Sequence, residues 1–110
     1  MTLLASHNLC KGIAVVDFYI SAIKFNADQT FIEQVKVRRN SGSQIGPELL
    51  ADRAFIADLI TVGDIKFKTV IRGEKGWVPG ADVFVARGLY LVTDAHAPAR
   101  LNLHNLPRFQ

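Results

Sequence analysis

Cysteine occurs once, at Cys10, so no disulfide can close within the chain, and nothing in its composition points to an oxidising compartment. Long apolar runs are missing as well. The opening MTLLASHNLCKGIAVV has no basic residue ahead of its apolar part and is broken by Ser6, His7, Asn8 and Lys11, so it reads as neither a signal peptide nor a membrane span. There is no low-complexity tract and no glycine-rich run leading into a helix; Gly42 and Gly46 lead into a polar loop and a proline, which excludes a phosphate cradle. Ser6 and Ser21 lie in no nucleophile-elbow setting, and pairing Asp82 with Asp94 as acid and base needs environments that a sequence does not display. The expectation is a cytoplasmic protein that is not an enzyme, carries no cofactor and does not enter a membrane.

What is present suits one modest core. The chain has 110 residues, 49% of them hydrophobic, which is enough for a single domain. The formal charge of +3 and an isoelectric point near 9.3 lean toward acidic partners but fall well short of a dedicated nucleic-acid arm. Residues 1–12 read as an N-terminal extension and residues 13–110 as the domain.

Residues 15–25, VVDFYISAIKF, are β-branched and aromatic and predict a strand. Asn26 and Asp28 mark a turn. In FIEQVKVRR the alternation predicts a second strand with Phe31, Glu33, Val35 and Val37 on one face and Ile32, Gln34, Lys36 and Arg38 on the other. Residues 40–48, NSGSQIGPE, read as the longest loop. Asp52 is placed to cap a helix over residues 53–62, whose stripe is Phe55, Ile56, Leu59 and Ile60 and whose stop is Gly63 in the left-handed conformation. IKFKTVIR predicts the next strand, with Ile65, Phe67, Thr69 and Ile71 inward and Lys66, Lys68, Val70 and Arg72 outward. After GEKG, residues 77–86 and 89–93 predict two more strands joined at Arg87-Gly88. The expected fold is α+β: a largely antiparallel sheet of about five strands in the order β-β-α-β-β-β, one short helix on one face, and an irregular C-terminal tail.

A likeness spans residues 18–109. Phe55-Ile56 with Leu59-Ile60 and Gly63, Phe67 and Thr69, Trp77, Gly80-Ala81-Asp82-Val83, Tyr90-Leu91-Val92-Thr93-Asp94, and Asn102-Leu103 with Leu106-Pro107 resemble, in order and spacing, the small bacterial and phage proteins of the domain of unknown function 3892 family. The resemblance implies a compact domain and brings no catalytic residue or cofactor with it. Members usually have an acid just before the Asn-Leu pair. Here that position is Leu101, which puts apolar packing in the acid's place.

Three groups of residues are candidates for function. Asp94, His96 and His104 are types that ligate metals, but their spacing matches no recognised site, so no metal is expected. Lys36, Arg38, Lys66, Lys68 and Arg72 all fall on outward strand positions, a candidate face for anions or nucleic acid; the plain alternative is that they keep a one-sided sheet soluble. Phe84, Tyr90 and Val92 make both faces of the last hairpin partly apolar and form a candidate interaction surface. Leu101, Leu103, Leu106 and Phe109 are spaced to clad the sheet, with Asn102 and Asn105 serving backbone groups. The functional expectation is a protein-interaction module of inhibitor, immunity or accessory type, with an unidentified protein partner or a second copy of itself. The alternative is nucleic-acid or anionic-ligand binding through the basic face.

Overall fold

The computed structural model describes residues 16–42, 44–93 and 102–110. The expected N-terminal extension, and with it Cys10, lies outside these residues, as do Asp94, His96 and Leu101. Six strands and one helix follow in order: β1 (Phe18–Phe25), β2 (Ile32–Asn40), β3 (Ile45–Asp52), α1 (Arg53–Thr61), β4 (Phe67–Gly73), β5 (Gly76–Ala86) and β6 (Tyr90–Thr93), with a short 3-10 turn at Leu103–Asn105.

Local chemistry sets the reversals. Asn26 Oδ1 accepts from the amides of Thr30 and Phe31 at 2.8 and 2.9 Å, which folds β2 back on β1. At the last hairpin both central residues, Arg87 (φ 56°) and Gly88 (φ 67°), are left-handed, and Leu89 N donates to Ala86 O at 3.1 Å, a type I′ turn.

The strands form one mixed sheet in the order β3-β2-β1-β4-β5-β6. Two antiparallel meanders, β1-β2-β3 and β4-β5-β6, meet where β1 runs parallel to β4. That seam is short: Phe18, Tyr19 and Ile20 lie opposite Phe67, Lys68 and Thr69. Since directly opposed residues share a face, the register sorts the side chains. Phe18, Ile20, Val35, Val37, Phe67, Val83 and Leu91 face the helix and pack with Ile56 and Ala57 in the core. Phe18 stacks on Phe67 with centroids 5.4 Å apart.

The expected α+β class with one helix holds, but there are six strands. Residues 45–48 are not loop: Ile45–Asp52 pairs antiparallel with β2 as an edge strand. Gly46 and Pro47 mislead because both are tolerated on an edge, at the irregularity between Arg38 and Asn40. A register shift also overturns one face assignment. The shift between Lys24 and Phe25 turns Ile32 into the core and leaves Glu33 exposed. At the irregularity between Lys68 and Val70 the extra residue lies in β5, so Val70 keeps the face of Lys68 and Arg72, yet it is fully buried there.

The helix differs in detail. Ile56 and Ala57 are its buried residues, while Phe55 is 58% exposed. Asp52 occupies the N-cap position but makes no capping bond, because its Oδ1 accepts from Gln34 Nε2 at 3.0 Å. The left-handed residue after the helix is Asp64 (φ 53°). Gly63 is needed for another reason: a Cβ there would sit 3.0 Å from Leu59 O.

The tail is less irregular than expected. Asn102 caps its 3-10 turn by accepting from His104 N, and Leu103 N donates to Thr93 Oγ1 at 3.1 Å. Leu103 and Leu106 are both in the core cluster. Arg108 then bridges in parallel to Ile23, with Ile23 N donating to Pro107 O and Phe109 N to Ile23 O. The tail thus takes up the stretch of β1 that β4 does not pair.

One buried polar contact ties β4 to β5. Thr69, fully buried, accepts from Ala81 N at 2.9 Å. Thr69→Val keeps the shape but strands that amide; a loss of about 1–3 kcal/mol is expected in a urea melt.

Candidate functional site

Across the face of the sheet away from the helix runs a cross-strand row: Glu48 on β3, Arg38 on β2, Tyr19 on β1, Lys68 on β4 and Asp82 on β5. Alternation places Lys36 and Arg72 on the same face. Four of the five expected cations are therefore brought together. Lys66 is not among them: it precedes β4, and its ammonium pairs with Asp64 at 3.0 Å.

This face is not an uncompensated basic patch. Glu48 receives both Lys36 (3.1 Å) and Arg38 (3.3 Å), and Asp82 receives Lys68 (3.4 Å). Arg38 also donates from Nη1 to Gly46 O at 3.1 Å, and its Nε is buried without a partner. The Trp77 ring carries Arg38 and Arg72 at 4.8 and 5.2 Å, and Lys36 lies 4.6 Å from the Phe109 centroid. These contacts hold the side chains flat against the sheet. Arg72 makes no ion pair among the described residues, but to reach the other three cations an oligonucleotide would have to displace Glu48 and Asp82, which removes much of the electrostatic gain.

On the last hairpin Phe84 and Val92 are directly opposed, and Tyr90, opposite Ala86 and two residues from Val92, falls on the same face. Phe84 and Tyr90 are exposed. The Tyr90 ring also leans on Phe31, just before β2, with centroids 6.2 Å apart.

A second apolar surface lies at the other sheet edge. On β3, Leu49 and Leu50 are 49% and 60% exposed. Leu49 is opposite Val37 and so faces the helix side, whereas Leu50, opposite Lys36, faces the other. Beside Leu49 a groove of about 210 Å³ is lined by Phe18, Val37, Phe55 and Leu59. The sequence carries a signal for it in the adjacent pair Leu49-Leu50, which reading residues 40–48 as loop left without an element.

Among the described residues no three His, Cys, Asp or Glu side chains cluster as a metal site, and His104 stands tilted to Phe25 at 6.0 Å. Ser21 is buried within β1. No helix among the described residues is long and apolar enough to cross a membrane. No family model matches the chain, and neither a curated protein nor a solved structure does so.

Proposed function

We propose that this chain is a non-catalytic protein-interaction module that accepts an extended segment of a partner, either a foreign protein or a second copy, along the free edge of β3. The observation that carries the reading is the pair Leu49 and Leu50, about half exposed on an edge strand whose outer side faces no neighbouring strand among the described residues. Strand addition uses such an edge for main-chain hydrogen bonds and takes its specificity from side-chain pockets on alternating positions. The groove beside Leu49 provides one such pocket. Glu48 and Asp52 place a charge at each end of the stretch without interrupting it, and Pro47 closes the ladder to pairing before Glu48.

The test is a display library of extended peptides selected on the immobilised domain, run beside sedimentation of the protein alone. Segments with alternating apolar residues should be enriched, or concentration-dependent self-association seen; Leu49→Lys should reduce either by at least about tenfold with little change in melting temperature. Equal retention by wild type and variant, together with a monomer at every concentration, would sink the reading.

A further inference from the structure

A separate cavity of about 300 Å³ opens where the β1–β2 turn, the first residue of α1, the β5–β6 turn and the 3-10 turn come together. Its walls include Thr30, Phe31, Arg53, Arg87, Tyr90 and His104. Two guanidinium groups and an imidazole thus line one small space, and no carboxylate stands among its described lining residues. The contrast with the sheet face is direct, because there Glu48 and Asp82 already serve Lys36, Arg38 and Lys68.

Arg53 is held in place but left incompletely paired. Its Nη1 donates to Leu89 O and its guanidinium lies 5.3 Å from the Phe31 centroid, while its Nε is buried with no hydrogen-bond partner. That Nε is shielded from the cavity, so an incoming anion would meet the guanidinium at its Nη groups. Arg87 makes no ion pair among the described residues, and the turn does not call for arginine: a type I′ turn favours Asn, Asp or Gly at that left-handed position. Apart from Thr30 the remaining walls are apolar and aromatic, with the Phe31 and Tyr90 rings tilted at 56° to each other and Leu91 and Val92 beside them.

We infer that this cavity binds a small organic anion, a phosphate or carboxylate attached to a single flat apolar ring. The guanidinium groups of Arg53 and Arg87 take the anionic end through charge-assisted hydrogen bonds. Phe31 and Tyr90 take the ring. The volume of about 300 Å³ is at the lower end for small-molecule sites, which suits a ligand with one ring.

Phenyl phosphate, benzoate and inorganic phosphate are titrated separately into the full-length isotope-labelled protein and followed by amide chemical shifts. Saturable shifts at Phe31, Arg53 and Tyr90 are expected with phenyl phosphate or benzoate, and which of the two binds more tightly identifies the anionic group. Arg87→Gln, on an exposed turn, should weaken binding about tenfold, whereas Arg72→Gln on the sheet face should leave it unchanged. The inference is overturned by shifts that do not saturate, by shifts centred on Lys36 and Arg72, by equal affinity in the Arg87 and Arg72 variants, or by inorganic phosphate binding as tightly as phenyl phosphate. Because β3 is untouched by these variants, failure here is distinct from failure of the strand-addition reading.

Discussion

Leu103→Ala should lower the unfolding free energy by about 2–5 kcal/mol and the melting temperature by roughly 10–20 °C, measured by calorimetry. Leu103 is fully buried in the cluster formed by Ile20, Ile23, Ile56 and Leu106, so truncation loses both transfer free energy and packing around the cavity left behind. The surroundings are poorly able to collapse into that space. The backbone on either side is pinned, by Leu103 N to Thr93 Oγ1 and by the Pro107 and Phe109 bonds to Ile23. His104→Ala, one residue along and exposed, is the control and should change stability by less than about 0.5 kcal/mol. Equal tolerance of the two substitutions would mean that the tail does not complete the core.

Phe67→Ala is expected to cost about 3–5 kcal/mol. Phe67 is buried at the seam where the two meanders join and stacks on Phe18, itself opposite it in the register. Because only three residue pairs make that parallel junction, losing the ring should also loosen the junction more than either meander. Amide exchange should therefore accelerate at the β1–β4 pairing before it does at β1–β2. Uniform acceleration over the whole sheet would show that the halves open as one unit.

The legible parts of the fold were those governed by local chemistry. Asn26 as a turn former, Arg87-Gly88 as a tight connection, and Leu103 and Leu106 as cladding all follow from side-chain type and spacing. The register shifts were not legible, because a one-residue irregularity reverses alternation without any marker in the strand that carries it. Ile32 was misplaced for that reason. β3 was hidden because Gly46 and Pro47 signal a break in an interior strand but not on an edge. The same logic applies to the candidate sites. Outward cations could be read from alternation, yet their neutralisation by Glu48 depends on a strand the sequence did not reveal. Arg53, Arg87 and His104 come together only through tertiary closure; no spacing rule connects them.

The position of β1 has a kinetic consequence. Its partners are the adjacent β2, the later β4 and, at Ile23, the residues around Arg108. The β1–β2 hairpin closes a short loop, whereas the other two pairings must organise most of the described chain before they repay its lost entropy. Refolding should accordingly begin with a hairpin whose apolar flank stays wet until distant segments arrive. That interval is when this molecule is most exposed to aggregation.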